Sequence, residues 1–395
     1  MDKKPKRMVP EVRFKGFTDD WEQRKLGEIA TVTKLAGFEF TKYVSYSDVG
    51  RVLAIRGLNI KNGDFNLHDV KYIDNSNFTK LTRSKLKHGD ILFTYVGTIG
   101  NSAIVPENVN WYLAPNVCLI RTINNVSGFI GQLIRSNKFQ NHEIPKWITT
   151  SSQPSLSMKN IRKFLVTLPS NNEQFRIDKF LSLIDTLFSL QQRKLEQLKQ
   201  LKKAMLQKIS NHKLMVDDKE YENMKVKVAD IYTVTRGNVL AKGKISPQKS
   251  NKYLYPVYSS QTKNDGLMGY YEKYLFENAI TWTTDGANAG TVKYREGKFY
   301  STNVNGVLLS NKGYANKLAA SLLNQVGFKY VSHVGNPKLM NNVMKEITFQ
   351  IPKNVKVQIK LSKYLALLEK SIDNQLVIEN EYKKLRKFLL QKLFI

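Results

Sequence analysis

"LGEIATVTK" spans Leu26 to Lys34, and "VADIYTVTR" spans Val228 to Arg236. Both set an aliphatic residue, an acidic residue and an isoleucine ahead of Thr-Val-Thr and a cation, 202 positions apart. Agreement of that length points to an internal repeat, which decides the architecture before any single element does. Outward from it, Lys61-Asn62 meets Lys263-Asn264 at the same separation. At 189 positions, "ILFTYVGTIGNSAIV" (Ile91 to Val105) lies on "ITWTTDGANAGTVKY" (Ile280 to Tyr294), a register expected to continue to Asn116 with Asn305 and Leu119 with Leu308. At 183, "PSLSMKNIRKFLVTLP" (Pro154 to Pro169) lies on "PKLMNNVMKEITFQIP" (Pro337 to Pro352). At 184, an ungapped run from Gln174 to Lys208 ends with Leu-Gln-Lys matched to Leu390-Gln391-Lys392. One unit has been duplicated, and the second copy has become shorter inside.

A chain of 395 residues, 42% of them hydrophobic, is long enough for two cores. Lys and Arg outnumber Asp and Glu by 62 to 33, a formal charge of +29. That balance points to a polyanionic partner, with nucleic acid ahead of an anionic membrane because no stretch reads as a basic amphipathic surface helix. The alternative is a basic protein that is merely soluble. A single cysteine, Cys118, excludes a disulfide framework and a cysteine zinc cluster, so it is assigned to core packing and the chain to a reducing cytoplasm. The N-terminal "MDKKPKRMVP" leads into no apolar segment, and no run of about 18 apolar residues occurs, so neither export nor membrane insertion is expected.

Within each copy the texture changes once. "VLAIR", "DILFTYV" and "VCLIRT", like "KYLYPVY", "AITWTT" and "NGVLLS", read as short strands broken by Gly, Asn and Pro, with some helix between them. The last part of each copy reads as one long helix, since no Gly or Pro falls between Asn171 and Leu214 or between Asn354 and Ile395. Ser170 and Glu173 are placed for a capping box at the first helix start. Heptad spacing runs through Leu181, Ile184, Phe188, Leu195, Leu198, Met205 and Ile209, with Gln191 and Lys202 in the remaining seam positions. The second helix offers Leu365, Leu368, Ile372, Tyr382, Leu389 and Leu393, with Gln375 where Gln191 stood. Two such seams in one chain suggest that the helices pair; the alternative is that each packs only on its own domain. The expected fold class is α+β, with two mixed α/β recognition domains (1–168 and 215–351) and two helical spacers (169–214 and 352–395).

A basic protein of this size could be a nuclease, methyltransferase or helicase, so each chemistry was sought. There is no G-x-x-x-x-G-K-[ST] to cradle phosphates. "GTIGNS" at Gly97 reads as a sharp turn, and its counterpart "GANAGT" keeps only the first of its glycines in register. No Asn/Asp-Pro-Pro-aromatic loop is present to hold an amine for methylation. Asp69-Val-Lys71 and Asp217-Asp-Lys219 are isolated matches to a metal-nuclease pattern, and the five histidines lack ligand spacing. The chain is expected to carry no active site and no metal of its own.

The repeat instead brings groups suited to DNA. Lysines supply phosphate contacts, while Asn, Gln, Arg and Ser can read base edges. The first copy offers Lys34, Arg56, Asn59, Lys61, Tyr95, Thr98, Asn101, Lys146, Trp147, Ser152 and Gln153. The second offers Arg236, Gln261, Lys263, Asn264, Asp285, Asn288, His333, Asn336 and Lys338. "KWITTSSQPS" (Lys146 to Ser155) and "HVGNPK" (His333 to Lys338) stand in the same place in their copies. Either loop alone could be an ordinary solvated turn; duplication is what sets them apart.

Taken together, the chain resembles the specificity subunit of type I restriction-modification enzymes. The resemblance rests on "WEQRKLGEIATVTK", "LKHGDILFTYVGTIGNSAIV", "TSSQPSLSMKNI" and "LPSNNEQFRIDKFLSLID", repeated in order as "VKVADIYTVTRGN", "ITWTTDGANAG" and "IPKNVKVQIKLSKYL". The second copy lacks the Glu-Gln pair that opens the first helix. The resemblance implies that each recognition domain reads one half of a split site on double-stranded DNA, and that the helical regions pair as an antiparallel coiled coil that spaces them. It also implies two modification subunits that use S-adenosylmethionine, and two restriction subunits that use ATP and Mg²⁺, with no cofactor on this chain and no membrane contact. A free-standing duplicated DNA-binding regulator and an enzyme with a degenerate site remain the rival readings.

Overall fold

The computed structural model describes residues 8–149, 153–211, 221–260 and 263–395. Two compact units result, one of Met1–Gln191 with Ile378–Ile395 and one of Gln192–Val377.

In the first unit, Glu22–Lys25 pairs antiparallel with Leu165–Leu168 and leads through the single turn Leu26–Ile29 into the central sheet. That sheet runs Ala30–Lys34, Val117–Thr122, Ile91–Thr94, Ser102–Ile104 in spatial order, all antiparallel. Its side chains alternate between two cores, as strand geometry requires. Val32, Ile91, Phe93, Cys118 and Ile120 face one core together with Phe129 and Phe164. Leu92, Ala103, Val105, Val117 and Leu119 face another, formed by the stretch from Leu35 to Ala114. Cys118 is fully buried, and burial pushes its thiol pKa up.

The second unit repeats the order. Asn223–Lys227 pairs with Thr348–Pro352, followed by the turn Val228–Ile231. Its sheet has six strands: Thr233–Arg236, Asn305–Leu309, Phe276–Thr283, Val292–Ser301, Tyr255–Tyr258 and Leu267–Tyr271. Ile280, Trp282, Val292 and Leu308 face the main core. Gly306 is required there, because a β-carbon would meet the Trp282 ring at 2.0 Å. The opposite face carries buried Thr281, Thr283, Arg295 and Asn305 beside a small apolar cluster of Ala279, Phe299 and Val307.

Hydrogen-bond register tests the repeat residue by residue. Ile91 pairs with Ile120 as Ile280 pairs with Leu308, so the true partner of Leu308 is Ile120 and that of Asn305 is Val117. The register expected at Asn116 and Leu119 is therefore off by one. The cause lies after the hairpin: Gly100 N–H donates to the Thr94 carbonyl as Gly290 N–H donates to the Thr283 carbonyl, so the second turn is one residue longer, but the second copy is then two residues shorter between Gly290 and Asn305 than the first between Gly100 and Val117. Gly290 thus retains the second glycine of the turn, with φ 86° against 99° at Gly100.

The long helices span Asn171–Ser210 and Val355–Lys392. In the first unit Arg386 Nε donates to Asp185 at 2.5 Å, and the Lys383 ammonium lies 5.8 Å from the Phe188 ring centre. In the second, Lys202 Nζ donates to Glu369 at 2.6 Å. In the first unit the helices therefore pair antiparallel, and in the second they meet side by side at Lys202 and Glu369. The heptad positions follow: Leu181, Ile184, Leu195, Ile209, Leu365, Leu389 and Leu393 are buried and the other apolar seam residues half-buried, with Gln375 buried and Gln191 half-buried among them. Full burial of one such leucine is worth about 1.5–3 kcal/mol.

The capping box is not formed through Glu173. Its carboxylate, 1% exposed, accepts two bonds from Arg13 at 2.7 and 2.8 Å, a bidentate pair that outcompetes a local backbone contact. Half of the Glu-Gln pair does persist in the second copy. Gln174 Nε2 donates to the Pro169 carbonyl and Gln358 Nε2 to the Pro352 carbonyl, both side chains buried, so the glutamine recurs as Gln358.

Candidate nucleic-acid interface

The same loop junction is built in each copy. Val96 and Ser155 form a bridge, as do Asp285 and Lys338; Thr149 and Ser155 form another, as do Ser332 and Lys338. Leu156 N–H donates to the Tyr95 carbonyl at 2.9 Å, and Leu339 N–H to the Thr284 carbonyl at 2.9 Å. The glycine turn and the proline loop of each copy are thereby clamped together. Gly97 and Gly286 sit at φ 73° and 93° with open space where a β-carbon would be, so conformation alone requires glycine there.

Around the first junction, Lys34 and Lys61 are exposed, and the Lys34 ammonium lies 5.5 Å from the ring centre of buried Tyr95. Lys146 is exposed and paired with Glu143 at 2.7 Å. Trp147 donates its indole N–H to Glu143 at 3.1 Å and carries the Lys163 ammonium 5.4 Å from its ring centre. Thr98 and Gln153 are exposed, while half-buried Asn101 reaches the Ile60 carbonyl at 3.4 Å. Arg56 donates to the Asp69 carboxylate and carbonyl at 2.8 and 2.9 Å and lies 6.0 Å from the Tyr46 ring centre.

Asn59 corrects the sequence-based expectation. It is 0% exposed; its Oδ1 accepts from Arg56 N–H at 3.1 Å and its Nδ2 donates to the carbonyls of Asn66 and Asp69 at 3.0 and 2.6 Å. These three bonds tie the buried amide into the turn, leaving neither Nδ2 hydrogen free. Tyr95 is likewise buried, with the Lys34 ammonium near its ring.

Around the second junction, His333, Asn336 and Lys338 are exposed on the proline loop, and Asp285 and Asn288 half-buried on the glycine turn. Asp285 accepts from the Thr284 hydroxyl at 2.8 Å. Arg236 is exposed and donates to the Asn303 carbonyl at 2.7 Å. Asn264 is exposed at φ 49°. Ser152 and Gln261 lie outside the described residues, and Lys263 is described in its backbone only. Sequence reasoning missed Arg295, Lys293 and Asp265. Arg295 is 6% exposed and lies 3.8 Å over the Tyr258 ring, a cation sandwiched against an aromatic face.

Two copies of one fold, each ending a basic sheet domain in a clamped polar loop pair and a long helix, define a duplicated DNA-recognition protein. The type I restriction modification DNA specificity domain matches the chain twice, at 18–200 and 220–381, and the chain belongs to that family as a specificity subunit with two recognition domains. The type I specificity subunit S.MpnORF365P of Mycoplasma pneumoniae is 33% identical over 235 residues, 58% of this chain and 84% of that protein. The specificity subunit of the type I restriction enzyme MpnII, from the same organism, is 37% identical over 153 residues, 38% of this chain and 44% of that protein. The crystal structure of a type I restriction-modification S subunit from M. genitalium shares the fold, with a TM-score of 0.68 at 15% identity, over 98% of this chain and 99% of that one.

Proposed function

We propose that the chain reads a split site on double-stranded DNA, one half with residues 1–168 and the other with 215–351, while the helical segments 169–214 and 352–395 seat two modification subunits. Two restriction subunits join through these. The observation that carries the reading is the loop junction repeated bond for bond in domains whose surrounding faces differ. Exposed apolar side chains on the long helices support docking: Leu183, Leu190 and Phe388 in the first unit, Leu201, Leu367 and Val377 in the second.

This chain's share of the work is binding. Exposed Lys34, Lys61, Arg236 and Lys338 contact phosphates, and amides beside them read base edges. S-adenosylmethionine, ATP and Mg²⁺ belong to the partner subunits, and the complex acts in the cytoplasm. Among the described residues no helix is long and apolar enough to cross a membrane.

The test is expression of the full chain with and without modification subunits, followed by mapping of methylated adenines. A bipartite motif that needs both is the expected result. DNA binding by the chain with no copurifying methyltransferase, or methylation or cleavage by the chain alone with S-adenosylmethionine or Mg²⁺, would overturn it. Affinity should also fall steeply with salt, because counterions leave the phosphates on binding.

A further inference from the structure

The hairpin joining Tyr255–Tyr258 to Leu267–Tyr271 ends in Lys263-Asn264-Asp265-Gly266. Three successive residues there are left-handed, with φ of 49° at Asn264, 57° at Asp265 and 84° at Gly266. Only the glycine adopts that region freely, so the turn must be held. Arg295 holds it. Its Nη1 donates to the Asp265 carboxylate at 2.5 Å and its Nη2 to the Asp265 carbonyl at 2.9 Å, while its Nε donates to the Thr281 hydroxyl at 3.2 Å. Lys293 donates to the other carboxylate oxygen, and Ser259 N–H closes the loop on the Gly266 carbonyl at 2.9 Å. Burial pushes the Asp265 carboxyl pKa up, but these two cations outweigh it and hold it below its ordinary value, so the latch is charged at neutral pH.

Among the described residues of the first copy, no arginine or lysine donates to the carboxylate or carbonyls of the corresponding turn, although buried Arg135 lies beside its Gly63. By strand register, Arg295 and Lys293 stand where Val105 and Ala103 stand, and both of those lie in an apolar core. The corresponding turn, Lys61 to Asp64, needs one left-handed residue, Gly63 at φ 105°. The copies thus diverge at the turn where their sequences still agree on Lys-Asn. In the second copy a cavity of 60 Å³ lined by polar side chains, among them Asp265, Asn288 and Asn305, lies beside the turn. The exposed amide that the latch fixes in place is that of Asn264.

We propose that Asn264 reads an adenine edge in the half-site of the second recognition domain, and that Arg295 is the positioning residue that sets its geometry. Asn matches adenine through paired bonds to N6 and N7 in the major groove. The proposal rests on the bipartite reading above and names the side chain within it.

The experiment maps methylated motifs made by the full chain with its modification subunits, comparing the parent with Asn264→Ala, Asp265→Ala, Arg295→Lys and Arg295→Leu. Asn264→Ala should make one position of one half-site degenerate, with discrimination there falling about 10- to 100-fold, while the other half keeps its bases. Asp265→Ala should give the same degeneracy, with folding checked by thermal melts because the change leaves the buried Arg295 guanidinium without its carboxylate partner. Arg295→Leu should match it and Arg295→Lys should recover part of the discrimination. A merely structural arginine would lower methylation at every site and leave the motif intact. An unchanged motif for Asn264→Ala and Asp265→Ala at parental methylation overturns the proposal. Failure of the parent to methylate a bipartite motif would instead overturn the wider reading.

Discussion

Asn59 and Asn264 are the same residue type in comparably basic surroundings, and only their placement separates them. An amide offers identical donors and acceptors to a base edge and to a backbone turn, so composition points to both and burial decides. Exposed Lys34, Lys61 and Lys338 were recognisable from sequence because a lysine is rarely buried unpaired. Arg295 was not: "VKYREGKFY" alternates like a half-solvated strand, and the Tyr258 ring and Asp265 that meet Arg295 come from segments at least 30 residues away in sequence. Replacing Asn59 by Ala should leave the Arg56 N–H and the carbonyls of Asn66 and Asp69 without that partner, lowering stability by about 1–3 kcal/mol in denaturant melts. Lys61→Ala should leave stability within about 0.5 kcal/mol and weaken all DNA alike, reducing the salt slope by about one. The reverse pattern would place Asn59 on the DNA and Lys61 in the fold.

At the scale of elements, the helix pair was readable from heptad spacing because coiled-coil seams leave a periodic trace. Its polar clasps were not, since a charge on a helix face looks solvated until its partner is seen. Glu369 receives Lys202 and Lys317, each at 2.6 Å. Burial pushes its carboxyl pKa up, yet the two ammonium groups outweigh burial and hold it below the ordinary value. A proton therefore binds more weakly in the folded state. The clasp's stabilisation is fully present above the unfolded carboxyl pKa, and it is lost as pH falls through the folded one. Glu369→Gln should cost about 1 kcal/mol at pH 7, a discounted figure for a partly exposed network, with the gap to the parent closing well below pH 4. Denaturant midpoints at both pH values check this; an equal deficit at both would assign the effect to packing.

At the scale of the whole chain, the repeat was visible because matched residues on both copies hold the same backbone bonds, as at Thr149 to Leu156 and Ser332 to Leu339. Its failures are as physical as its successes. One extra residue in the second glycine turn, followed by the loss of two before Asn305, left no mark in strands whose apolar residues tolerate a one-place shift on paper. In the fold a one-place shift moves every side chain to the other face, so hydrogen bonding and not residue likeness sets the register. The same divergence predicts separable recognition. On equivalent strands the first copy buries Leu92, Val105 and Val117, whereas the second buries Thr281, Arg295 and Asn305, so the interiors that position their loops share little chemistry. Replacing residues 1–165 with the corresponding segment of a related specificity subunit should change the bases of one half of the methylated motif and preserve the other. Exchange of 213–350 should do the converse. Methylated-adenine mapping of both exchanges beside the parent decides the matter: if either exchange alters both halves together, the two copies do not read DNA independently, and the assignment of one half-site to each domain fails.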